Sequence, residues 1–243
     1  MIAFSAAENF PSLINATLED LRQGLDGGCF NSSDLVEAYQ KRIRQVNNHV
    51  RSVAEINPDA MKIAISRDEE RMTDGKSLGP LHGIPILIKD NVATLDKLNT
   101  TAGSFLLVGA KAPNDSTVVR KLREAGAIIL GKAEMDEWAN FRGDLPLGYS
   151  PKGGPTVGAY IENQEPSGSS SGSGVSVDLG LAFAAIGTDT GGSITFPSGA
   201  NGIVGIKPTT GLVSRNLVLP GSERRDTVGP MARTHSSGFR SCL

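Results

Sequence analysis

The chain has 243 residues, 39% hydrophobic and 21% charged, with 29 glycines and a formal net charge of −2. That length and balance predict an α/β protein able to bury a sizeable core. With 24 basic and 26 acidic residues there is no basic field for nucleic acid or anionic lipid, so the expected partner is a small molecule or peptide.

Two cysteines, Cys29 and Cys242, are too few for a disulfide framework or a thiolate metal site, and three scattered histidines supply no ligand set. No metal site is expected. No apolar run is long enough to cross a bilayer, so no membrane partner is expected. Asn15, Asn31, Asn99 and Asn114 begin Asn-x-Ser/Thr triplets, which are compatible with secretion, and no signal peptide is visible. Localisation and oligomeric state stay open.

Leu35, Val36, Tyr39, Ile43 and Val46 recur at helical spacing behind the polar Asn31-Ser32-Ser33-Asp34, which predicts a capped amphipathic helix. Asn57-Pro58 reads as an N-cap and first helical position, opening a solvent-facing helix that ends near Gly75. The apolar run Gly83 to Ile88, closed by Lys89-Asp90-Asn91, predicts a buried strand delivering polar groups at its carboxyl end. Ser116 to Ala125 predicts a helix ended by Gly126, followed by a strand from Ala127 to Leu130. Ala182 to Ile186 and Ile203 to Ile206 are further strand candidates beside glycine-rich turns. There is no internal repeat and no linker that divides the chain, so residues 1–243 read as one domain.

The stretch from Pro166 to Thr210 is rich in serine and glycine around an apolar strand. Such residues bury little apolar area and cost backbone entropy to order. Two loops of this kind therefore suggest backbone brought close to a ligand. A flexible linker has similar composition, but the apolar pattern on both sides argues against one.

These two loops resemble the signature of the amidase-signature family, and Ile86 to Asn91 resembles that family's lysine motif. Blocks at 79–85, 100–104, 125–132, 137–142 and 226–233 extend the resemblance over most of residues 30 to 234. The resemblance implies an amidase-signature fold, a mixed central β-sheet flanked by helices. It also implies cleavage of carboxylic or peptide C-terminal amides by a Ser-Ser-Lys triad through an acyl-enzyme, with no cofactor. Carried over by position, Lys89 is the base, Ser169 the bridge and Ser193, twenty-four positions later, the nucleophile. The Gly168–Ser169 peptide is expected to be cis. Thr190, Gly191, Gly192 and Ser193 are expected to form the oxyanion hole, and a short helix is expected to open at Ser193. Ser170 and Asp189 are expected to hold the loops.

Two other motifs compete. Gly168-Ser169-Ser170-Ser171-Gly172 has the form of a hydrolase nucleophile elbow, with Asp226 and His235 following in chain order, but no strand pattern precedes it. Gly126 to Lys132 imitates a phosphate loop, yet its middle is apolar and Ala133 stands where a hydroxyl is needed. His82 reads as structural.

The tryptophan block at 138–142 and the form of the first loop look closest to peptide-amidase-like members, with the A-type component of amidotransferases as an alternative. The departures from the commonest pattern, Ser167, Ser171, Gly191 and Thr195, leave the amide substrate open. The resemblance fades near Thr234, and residues 235–243 lack the apolar helical pattern expected next. The expectation is an amino-terminal catalytic part with an incomplete sheet, poorly stable and weakly active or inactive by itself, in effect a fragment.

Overall fold

The computed structural model describes residues 10–74 and 78–234. Gly75, His235 and Cys242, and with them the expected end of the second helix and the closing tail, lie outside the described residues.

Helix α1 (Leu18–Asp26) leads into α2 (Ser32–Val50), whose cap is the one its sequence predicts. Asn31 Oδ1 accepts the Asp34 amide at 2.8 Å, and Asp34 Oδ2 accepts the Asn31 amide at 2.9 Å. The predicted apolar residues Leu35, Val36, Tyr39 and Ile43 are all buried. Strand β1 (Val53–Ile56), which the sequence reading did not single out, follows directly.

Helix α3 (Ala60–Asp74) differs from expectation at its start and in its exposure. Pro58 lies in the preceding turn, because Asn57 Oδ1 accepts the Asp59 amide and Asn57 O accepts that of Ala60. The helix is not simply solvent-facing: Ala60 and Ala64 are buried, and it packs on α2.

The predicted strand–helix–strand unit is present as β2 (Pro85–Lys89), α4 (Thr117–Glu124) and β3 (Ile128–Ala133). Both strands are buried along their whole length, as continuous apolar runs in parallel pairs usually are. His82 joins α3 to the entry of β2, with Nε2 3.0 Å from Glu70 Oε2 and its carbonyl accepting from Arg71 at 3.0 Å. That agrees with a structural role. A small hairpin, β4 (Tyr149–Ser150) and β5 (Gly154–Pro155), precedes the serine-rich region.

The first serine-glycine segment is only briefly a loop. From Ser171 to Asp178 it is a helix, α5, with every residue buried. It packs against β1, β2 and β3, and also against β6 (Ala184–Asp189) and β8 (Thr227–Ala232). A helix this close to a sheet has little room for side chains: a Cβ on Gly172 would fall 2.3 Å from Ser52 O and 2.4 Å from the Glu134 amide nitrogen. The composition that suggested loops is therefore set by close packing.

Beyond β6, helix α6 begins at Thr195 rather than Ser193 and runs to Ala200, and only Val204–Gly205 of the last strand candidate pairs, as β7. The sheet order is β1-β3-β2-β6-β8-β7. Strands β3, β2 and β6 are mutually parallel, while β1, β8 and β7 pair antiparallel with their neighbours. This is a mixed central sheet flanked by helices. Among the described residues, no helix is long and apolar enough to cross a membrane.

Candidate active site

Lys89 ends β2, and β6 lies next to it in parallel, so the lysine and the residues after β6 meet at the carboxyl end of these central strands. The lysine is fully buried, and its Nζ donates to Ser169 Oγ and Ser170 Oγ at 2.8 Å each and to Thr188 O at 3.2 Å. Burial disfavours its charged form and lowers its pKa to about 7, against the opposing pull of Asp136, Asp189 and Asp226. An ordinary lysine is ammonium at neutral pH. This one is divided between its charged and neutral forms there.

Ser169 follows a cis Gly168–Ser169 peptide, the geometry that the resemblance implied. Ser170 is wired on all sides: its Oγ donates to Thr188 O at 3.2 Å and its amide donates to Ser193 O at 3.2 Å. Through that last bond the turn bearing Ser193 is tied to the lysine's partners. Among the described residues Ser193 Oγ has no hydrogen bond, and Ser193 itself is partly exposed, open to an incoming group.

Asp189 shapes the turn between β6 and α6. Its Oδ1 accepts the Gly192 amide at 2.8 Å, and its Oδ2 accepts the Ile194 amide at 2.7 Å. Gly192 is thereby committed to holding the turn and has no free amide to offer an oxyanion. The amides of Thr190, Gly191 and Ser193 donate to no protein acceptor among the described residues. Gly192 has φ +114, and a Cβ there would lie 2.3 Å from the Phe196 ring, so glycine is required twice over. Thr190 Oγ1 donates to Asp226 Oδ1 at 2.5 Å, and the other Asp226 oxygen accepts the amides of Gly221 and Ser222 at 2.8 Å each.

Beside this turn lies a cavity of about 490 Å³ that reaches Thr188 and Thr190. Met135, Trp138 and Phe141 supply apolar wall, and Arg215 and Arg224 stand on the opposite loop. Trp138, Ala139 and Asn140 form a left-handed run, with φ of 51°, 54° and 61°, which turns this wall.

Asp136 escaped the sequence reading. It is fully buried, lies just past β3, and acts electrostatically on Lys89. The signal was available: β3 runs parallel to β2, so residues following both strands emerge at the same edge. The two competing motifs do not fit the structure. Ser170 is buried with no strand immediately before it, and residues 128–133 of the would-be phosphate loop are the buried strand β3.

The fold is thus α/β, with a buried lysine bonded to serines beside a glycine turn with open amides. The chain belongs to the Amidase family, whose model matches residues 34–237. It is 52% identical to a putative amidase of Arthroderma benhamiae, over 93% of this chain and 42% of that protein. Native peptide amidase from Stenotrophomonas maltophilia superposes with a TM-score of 0.90 at 46% identity, over 94% of this chain and 47% of that one. The A-type component of the glutamyl-tRNA(Gln) amidotransferase of Prochlorococcus marinus is 39% identical over 90% of this chain and 44% of its own length. The chain thus spans less than half the length of these relatives.

Proposed function

We propose that this chain carries the catalytic machinery of an amide hydrolase that converts carboxylic or peptide C-terminal amides to acid and ammonia. The observation that carries the reading is the 2.8 Å hydrogen bond between fully buried Lys89 and Ser169 Oγ. In this mechanism neutral Lys89 takes the proton of Ser169, which takes that of Ser193, and Ser193 Oγ attacks the amide carbonyl carbon. The amides of Thr190, Gly191 and Ser193 receive the developing oxyanion. As the carbon–nitrogen bond breaks, the proton held by Lys89 passes back to the departing nitrogen and leaves with ammonia. Water then attacks the acyl-enzyme ester, returning the acid and the free Ser193 hydroxyl. The cavity beside Thr190 takes the acyl part of the substrate.

The test is fluorophosphonate labelling with peptide mapping, together with ammonia release from peptide amides, short aliphatic amides and indoleacetamide. The expected result is one labelled residue, Ser193, and loss of both labelling and turnover in Ser193→Ala. Labelling at Ser170 with Ser193→Ala still active would overturn it. The likeness to the A-type amidotransferase component favours a second reading, glutamine-dependent amide transfer, and ammonia release from glutamine but from none of these amides would select it.

A further inference from the structure

We propose that Asp136 is a positioning residue of this site: its main chain and carboxylate brace the Gly168–Ser169 step, and its charge is the counter-charge to Lys89. The inference rests on the reading of Lys89 as the base.

The brace is seen in three contacts. The Asp136 amide donates to Ser169 O at 3.2 Å, and Asp136 Oδ1 accepts the Gly148 amide at 2.8 Å. Its Oδ2 lies against Gly168 so closely that a Cβ on that glycine would fall 2.1 Å away. The carboxylate thus fills the space behind the peptide that presents Ser169 to the lysine.

The counter-charge argument compares the three carboxylates that act on Lys89, of which Asp136 acts most strongly. Both oxygens of Asp189 and both oxygens of Asp226 accept hydrogen bonds from amides or a threonine hydroxyl. Asp136 Oδ2 is buried and has no hydrogen-bond partner among the described residues. A buried carboxylate oxygen without a donor is costly unless a positive charge stands nearby. The charged group acting on Asp136 is Lys89, and the Ser171 hydroxyl at the start of α5 faces it without closing a hydrogen bond. The other charged groups have partners of their own: Glu134 accepts from Ser150, and Asp90 accepts from Thr101 and Gly103 and pairs with Lys152 at 3.7 Å. Burial raises the pKa of Asp136, while the Gly148 amide, then Lys89 and the Ser171 hydroxyl, lower it, and the anionic form in turn favours protonated Lys89.

The sign of the expected effect follows. Removing the Asp136 charge removes a force that holds a proton on Lys89, so the lysine becomes neutral at lower pH. The experiment uses the full chain with Asp136→Asn and, as a second charge-removing variant, Asp136→Ser. Two readouts are taken: the pH dependence of fluorophosphonate labelling at Ser193, and the titration of Lys89 itself by NMR of ¹³C-labelled lysine. The acid limb of labelling and the Lys89 midpoint should both fall by about one pH unit in either variant. A Lys89 midpoint unchanged in both variants overturns the proposal, even if labelling is slower, because a purely structural brace predicts slower labelling without a shift. Should Ser193 fail to label in the unaltered protein, the proposed function falls, while the lysine titration still decides whether Asp136 is the counter-charge.

Discussion

Strands β2 and β3 run side by side in parallel, and each carries a fully buried lysine near its carboxyl end. In the register, Ile88 pairs with Lys132 and Lys89 with Ala133, so the two lysines leave the sheet on opposite faces. Burial lowers both pKa values, to about 7 for Lys89 and about 8 for Lys132. Their partners differ. Lys89 bonds to two serines, one of them tied to the Ser193 turn, whereas Lys132 donates to Val92 O at 2.6 Å and Thr100 Oγ1 at 2.9 Å, groups that fix the chain following β2. A depressed lysine pKa is thus no guide to chemistry by itself. What separates the two residues is whether the hydroxyl they touch leads to a candidate nucleophile.

Activity should break the symmetry most strongly. Lys89→Ala is expected to lower kcat by about 10²–10⁴ with little change in KM, because proton transfer is lost while the acyl pocket is kept. The matched substitution, Lys132→Met, is expected to leave kcat within about tenfold. In the unaltered protein the rate should rise with pH through a midpoint near 7, since only neutral Lys89 can take the serine proton. Steady-state ammonia release across pH 5 to 9 checks all three. Near-normal turnover by Lys89→Ala would remove the distinction between the lysines.

The sequence made Lys89 visible and Lys132 invisible as a pair, for physical reasons. Both strands, α4 and the buried face of α2 were legible because their apolar residues keep a clear period or a continuous run. Lys89 stood out as the first polar residue after such a run, in a motif shared with a family. Lys132 sits inside a run that imitates a phosphate loop, and nothing in the sequence says what its ammonium touches. Helix α5 was hidden because a helix buried on every side and pressed onto sheet backbone has no amphipathic stripe to detect. Strand β8 was seen only as a block resembling the family, since Gly229 and Pro230 interrupt its strand pattern. Asp136 was missed because one carboxylate after a strand carries no pattern until its neighbour strand is known.

Stability should respond to both lysines, with the same sign. Each has a folded pKa below the ordinary 10.5, so between the two values the unfolded chain binds more protons than the folded one. Stability therefore rises with pH from about 7 toward 10, each lysine contributing at most about 1.4 kcal/mol per pH unit. Urea unfolding at pH 7, 8 and 9 should show this rise, and Lys132→Met should flatten the portion above pH 8. A midpoint for Lys132→Met that climbs with pH as steeply as that of the unaltered protein would show that Lys132 stays charged when buried.

The smallest expected effect isolates the threonine hydroxyl that the structural lysine touches. Thr100→Val removes the hydroxyl that accepts from Lys132 and keeps the shape of the side chain, while Val92 O remains to accept. One acceptor lost from a charged donor with another still in place should cost about 1 kcal/mol, a small shift in urea midpoint. Thr100 lies on the segment that follows β2, and its hydroxyl bonds to Lys132 rather than to the serines around Lys89, so the acid limb of the rate profile should not move. Ser170→Ala is the counterpart on the other face: it takes away one of two hydroxyls on Lys89, and also the donor to Thr188 O. There the limb should move, because the hydroxyl helps to set the lysine's proton affinity. A Thr100→Val protein whose limb shifts as far as that of Ser170→Ala would mean that the two lysines are electrostatically one site, and that the distinction drawn from their partners fails.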